Sequence, residues 1–309
     1  MKIVICAPTF DENSGGAIVL HRLCDIINEN KLGSAFITPL LPEYLVAGGL
    51  RKLFSQAKWL LKLQREYRVN SSWNTPIITR QQIADDYIVI YPEIVLGNPL
   101  GANNVVRWFL HQPGFHTGKF DYGRNELYFK FNTAIDDFEN EGSTLSTNEM
   151  KIIFYPLDIY KKDDEVIRDI ECCHMIRKGG YKKKVHPENS VCVDGLNHKE
   201  TADIFKRSQK FICYDDYTAY SLFAVLSGCA SYVVPGDDVT IEQWYPNVED
   251  RYGLSYGFSD AQQLWANSTK DRVEQHLIKE HELSVERVRR CLEEMKLFFS
   301  KTLDNNKTL

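Results

Sequence analysis

Apolar positions along the chain fall into short continuous runs, separated by polar stretches in which they recur at helical spacing. Residues 2–8 (KIVICAP), 86–91 (DYIVIY), 105–110 (VVRWFL), 172–176, 190–193, 211–214 (FICY) and 230–234 read as strands. They are rich in Val, Ile, Cys or aromatic residues, and all but 172–176 start or end at or beside a Pro, Asp or Asn, the pattern of strands buried on both faces. Weaker runs at 33–37, 126–131 and 252–255 predict three more. Helical spacing predicts helices over 17–27, 49–67, 199–207, 260–269 and 271–300. Strands alternating with helices imply parallel sheets with crossover connections, an α/β fold. The expected division is 1–150 and 151–309, with the crossing near the PLD that follows Ile152, Ile153 and Phe154. The terminal helical segment is placed in the second part, with the option of packing back on the first.

The stretch 210–236, KFICYDDYTAYSLFAVLSGCASYVVPG, carries the most chemistry. It reads as a strand, an acidic turn at Asp215 and Asp216, a helix beginning near Thr218, and a strand closed by Pro235-Gly236. A polar turn between a strand's carboxyl end and a helix start gathers backbone N–H groups, which favour an anion. Upstream, Arg177 and Lys178 follow another strand and precede a diglycine. Arg forks onto a phosphate and Lys acts on it as a point charge. A solvated basic face is the alternative, because Lys182, Lys183 and Lys184 come next.

This order of strand, acidic turn, Thr/Ser-rich helix start and small-Gly-Cys-x-x-x-Val-Pro resembles the donor-binding core of glycosyltransferases with the GT-B fold. The resemblance extends over residues 172–266, and more faintly over the first thirty residues and 87–114. Bacterial enzymes that assemble polysaccharide and lipopolysaccharide are the nearest likeness. It implies two Rossmann-like domains facing across a cleft, with an N-terminal acceptor domain and a C-terminal domain that binds a nucleotide-sugar. Arg177, Lys178, Asp215, Tyr217, Thr218 and Ser221 would then hold the donor. Retaining members often carry two glutamates eight positions apart in this element. Here Asp215 takes the first position and Phe223 the second, so one ribose-binding carboxylate is missing and the stereochemistry stays open.

In the first half, the turn TFDENSGG after the opening strand ends in Gly15 and Gly16. These glycines either let backbone approach the donor phosphates or serve only a tight turn; the GxGxxG spacing of a dinucleotide site is absent. Two later turns bring Glu93 (YPE) and His111 (HQPG) to strand ends. Either side chain suits general-base activation of an acceptor hydroxyl. Otherwise, Glu93 closes its turn on backbone N–H groups and His111 caps its strand.

Length and composition narrow the partners. The chain has 309 residues, enough for two domains, and a formal charge of −5, which disfavours general nucleic-acid binding. Eight cysteines show no zinc-type spacing and read as reduced core thiols. No DxD-like cluster completes a divalent site, so no essential metal or other cofactor is expected, the nucleotide-sugar being a substrate. No run is long enough to span a bilayer, which points to a cytoplasmic enzyme. Residues 49–67 form an amphipathic pattern flanked by Arg51, Lys52, Lys58, Lys62 and Arg65. That stripe either packs on its own sheet or lies on the anionic inner face of the plasma membrane. The expected partners are therefore a nucleotide-sugar and a glycan or lipid-linked glycan acceptor. A nucleotide-sugar epimerase and a non-catalytic partner subunit are the other readings of the same architecture.

Overall fold

The computed structural model describes residues 1–41 and 66–305. Nearly all of the 49–67 stripe lies outside the described residues. The strands are β1 (Lys2–Ala7), β2 (Ser34–Pro39), β3 (Ile88–Pro92), β4 (Asn104–Phe109), β5 (Leu127–Lys130), β6 (Thr144–Leu145), β7 (Ile170–Met175), β8 (Val191–Cys192), β9 (Ser208–Cys213), β10 (Ala230–Val233) and β11 (Leu254–Tyr256). They form two sheets, ordered β2-β1-β3-β4-β5-β6 and β11-β10-β9-β7-β8. Every pairing between them is parallel. The α/β class and Rossmann-like character follow directly.

The chain divides into two compact units, one formed by Met1–Phe154 with His281–Leu309 and the other by Tyr155–Glu280. In the first unit, alternate residues of β1 serve opposite faces. Ile3, Ile5 and Ala7 pack with Leu20, Leu23, Cys24 and Ile27 of the Gly15–Glu29 helix. Val288, Cys291, Leu292, Met295 and Phe299, from the last helix Val273–Asn305, join the same core. Val4 and Cys6 face the other way, against Tyr87, Val89, Tyr91 and Val105. In the second unit, Cys173, Met175, Phe211, Cys213 and Val233 meet Phe205, Phe223 and Ala224 on one face. Cys172, Ile212, Tyr214 and Val234 line the other.

The first helix and a short helix in the second unit are among the elements that depart from the sequence expectation. The helix expected from residue 17 begins at Gly15, because Ser14 caps it and accepts the Ala17 N–H at 3.4 Å. Both glycines therefore lie in the first helical turn rather than in the preceding loop. A four-residue helix, Ile241–Trp244, also appears, started by a capping box between Thr240 and Gln243. All eight cysteines are free; seven are buried and Cys192 is exposed.

Each sheet has one point where strand order reverses. In the first it lies between β1 and β3, and in the second between β7 and β9. Loops leaving the carboxyl ends of strands at such a point diverge and leave a crevice, the usual ligand site of open α/β sheets. The turn after β1, Glu93 after β3, Arg177 after β7 and Asp215 after β9 all occupy these positions.

Candidate functional site

The turn after β7 is built around backbone constraint. Asp194, just past β8, accepts the N–H of Ile176 at 2.8 Å and of Arg177 at 3.2 Å. With both N–H groups fixed on one carboxylate, Arg177 adopts φ +37°, a left-handed conformation unfavourable for a side chain larger than Gly. Gly179 then passes directly beneath β9. A Cβ there would stand 2.0 Å from the Tyr214 carbonyl oxygen, so no other residue fits.

The Arg177 guanidinium lies 3.8 Å from the Asp215 carboxylate and 5.7 Å from the centre of the Tyr220 ring. Its side chain is 36% exposed, so the charge remains available to solvent. Lys178 is exposed beside it. Lys182 does not belong to a solvated basic face: its side chain is 4% exposed, bonded to Asp216 at 2.6 Å and to the Val234 carbonyl at 2.7 Å. Three cations thus stand with three carboxylates, Asp194, Asp215 and Asp216. The turn is a dipolar patch rather than a strongly positive one.

The helix Tyr220–Leu226 follows Asp215, and its start differs from the expected one. Ala219 occupies the cap position without a side-chain bond. The Thr218 hydroxyl accepts from the Tyr220 N–H at 3.4 Å. Ser221 faces inward; its N–H bonds the Thr218 carbonyl, and its hydroxyl is buried next to the Cys213 thiol without a partner at hydrogen-bond geometry. Tyr217, 59% exposed, offers its ring at the surface. Around this turn the structure therefore brings together Arg177, Lys178, Asp215, Tyr217 and Thr218, and turns Ser221 toward the core.

In the first unit, Glu93 is 4% exposed. Its carboxylate accepts the Leu110 N–H at 3.0 Å, and the His111 N–H also bonds to it. Burial outweighs these bonds and pushes its pKa up to about 7. The surrounding loop is pinned by Arg107, wholly buried, which forks onto Glu126 at 2.8 and 3.0 Å and donates to the Val95 carbonyl at 2.7 Å. Tyr122 donates to the Glu93 carbonyl at 2.6 Å. The His111 Nδ1 accepts the Gln112 N–H at 2.7 Å, and its ring stacks on Phe115 with centroids 3.9 Å apart. Gly16 is close by, since a Cβ on it would meet Leu110 at 3.7 Å, while nothing lies within 4 Å of a Cβ on Gly15. Glu93, His111 and Gly16 thus converge at the carboxyl edge of this sheet. The Glu93 carboxyl group among them is able to take or give a proton near neutral pH.

Sequence reasoning missed Asp194, Lys182 and Gly179 as architects of the cationic turn. The Asp-Gly dipeptide after β8 was the one visible signal for Asp194. Among the described residues no group of three or more His, Cys, Asp or Glu is arranged to hold a metal ion, and no helix is long and apolar enough to cross a membrane. A scan of protein-family models finds no match to the chain, and a search of curated proteins finds no significant relative.

Proposed function

We propose that this protein is a metal-independent glycosyltransferase. In this reading the second unit binds a nucleotide-sugar, the first unit binds a glycan or lipid-linked glycan, and the architecture is the GT-B one. The observation that carries the reading is Arg177, held with a left-handed backbone at the strand-order reversal of the second sheet, its guanidinium partly exposed. Backbone strain at a ligand crevice is characteristic of a side chain positioned for contact. Arg177 and Lys178 stabilise the diphosphate as it leaves the anomeric carbon. Asp215, a carboxylate 3.8 Å from the Arg177 guanidinium, is an acceptor and takes a hydroxyl of the donor. Tyr217 and Thr218 border the same turn.

Glu93 supplies the acid–base group on the acceptor side. A carboxyl group poised near pH 7 removes the acceptor hydroxyl proton more effectively than an ordinary carboxylate does. His111, adjacent to it, is the second candidate. The leaving group is then a nucleoside diphosphate, and the bond formed is glycosidic.

The test is release of nucleoside diphosphate from a panel of nucleotide-sugars, measured with and without saccharide acceptors. Acceptor-dependent release supports transfer. Conversion of the donor to its epimer without an acceptor supports the epimerase reading. Tight donor binding without any turnover supports a non-catalytic subunit.

A further inference from the structure

The loop between β7 and β8, which carries Arg177, Lys178 and Lys182, is fastened at its far end by a histidine. Three groups converge on the Tyr214 phenolic oxygen at the end of β9. They are the N–H of Val185 at 2.7 Å, the N–H of His186 at 3.1 Å, and the His186 Nδ1 at 2.8 Å. The two backbone groups can only donate, so they take the oxygen's acceptor positions. The single phenolic hydrogen is left for His186 Nδ1, which must be a bare acceptor. His186 is therefore held as the neutral tautomer with its proton on Nε2.

The rest of the surroundings oppose a second proton. The His186 ring lies flat on that of His174, centroids 3.7 Å apart and planes 7° from parallel. His174 projects from β7 and is itself bonded through Nδ1 to Ser190 at 2.9 Å. Lys184 acts on both rings from the same loop, and Asp194, beyond β8, acts on His174 with the opposite sign. Burial, then the neighbouring positive charge, moves both imidazoles below the usual histidine range. Two imidazolium rings at this separation would repel strongly.

We propose that His186 is a pH-sensitive latch for loop 176–190: a proton on its Nδ1 removes the acceptor of the Tyr214 hydroxyl and releases the segment that presents Arg177 and Lys178. The latch is independent of which ligand the turn binds. Closure belongs to neutral pH and opening to pH values below the unperturbed histidine range of about 6.5. The other attachment, the Lys182 ammonium on the Asp216 carboxylate and the Val234 carbonyl, does not involve His186 and keeps the loop tethered when the latch opens.

Amide hydrogen exchange of the full chain at pH 5.0 and 7.5, corrected for the intrinsic pH dependence of exchange, tests this directly. Protection of peptides spanning 177–190 is expected to fall at least tenfold at the lower pH, while peptides from β4 stay unchanged. His186→Asn keeps an acceptor oxygen near the Nδ1 position and cannot be protonated, so its loop should stay closed at both pH values. Tyr214→Phe removes the hydroxyl, so its loop should be open at both. Equal protection of the wild-type loop at the two pH values overturns the proposal. So does an acid-opened His186→Asn loop, which would move the sensitivity to His174. A Tyr214→Phe loop that stays closed at pH 7.5 overturns it as well.

Discussion

Arg177 gives the most informative perturbation, because its backbone and its guanidinium make separate predictions. At φ +37° an L-residue carries roughly 1–2 kcal/mol of left-handed strain. Arg177→Gly relieves that strain but adds about 0.4–1 kcal/mol of unfolded-chain entropy. Arg177→Ala keeps the strain and loses the same side chain. Both variants lose the Asp215 contact equally, and at 3.8 Å with a partly exposed Arg it is worth about 0–1 kcal/mol. The Gly variant should therefore be more stable than the Ala variant by about 1 kcal/mol, read by urea unfolding with tryptophan fluorescence. Nucleoside diphosphate affinity, by calorimetry, should fall in both variants by about 1.5–3 kcal/mol, roughly ten- to over a hundredfold. Nucleoside affinity should barely change. An Ala variant as stable as the Gly variant would refute the backbone argument. Equal weakening of nucleoside and diphosphate would refute the anion site.

Three further outcomes follow from the geometry. Gly179→Ala places a Cβ against the rigid Tyr214 carbonyl, so it should destabilise the second unit by about 3 kcal/mol or more, seen as a lower denaturation midpoint. Glu93 has a raised pKa, so its protonated form is the one the fold favours; its stabilising contribution is intact below about pH 4.5 and disappears as pH rises through about 7. Glu93→Gln should then be more stable than wild type at pH 8 and no more stable at pH 4, while turnover drops about 10²–10⁴-fold if Glu93 is the base. For His111→Ala, an unchanged nucleoside diphosphate affinity with turnover lower by about 10²–10⁴-fold would assign the base to His111 instead; a stable, fully active variant would exclude it.

Most of the strand pattern was legible in the chain because parallel strands, buried on both faces, must be apolar at nearly every position. KIVICAP and VVRWFL announce β1 and β4 without any tertiary information. β6 did not announce itself, since Thr144 and Leu145 become a strand only by pairing with Leu127 and Tyr128. The candidate site was legible in residue type: a basic pair beside a diglycine, an acidic turn after a strand, a glutamate and a histidine at strand ends.

The state of those side chains was decided by the fold. Nothing in the local pattern separates Lys182 from Lys183 and Lys184, yet only Lys182 reaches both a carboxylate and the Val234 carbonyl. Arg177 has its left-handed backbone because a carboxylate distant in sequence takes two consecutive N–H groups. Glu93 titrates near neutrality because the strands around it exclude water. The helix Val273–Asn305 shows one apolar stripe, but Val273 and Leu277 enter the second unit's core while Val288, Leu292 and Met295 enter the first. Periodicity tells which face of a helix is buried. Which core receives that face depends on contacts between residues far apart in the chain, and those exist only once the sheets have formed.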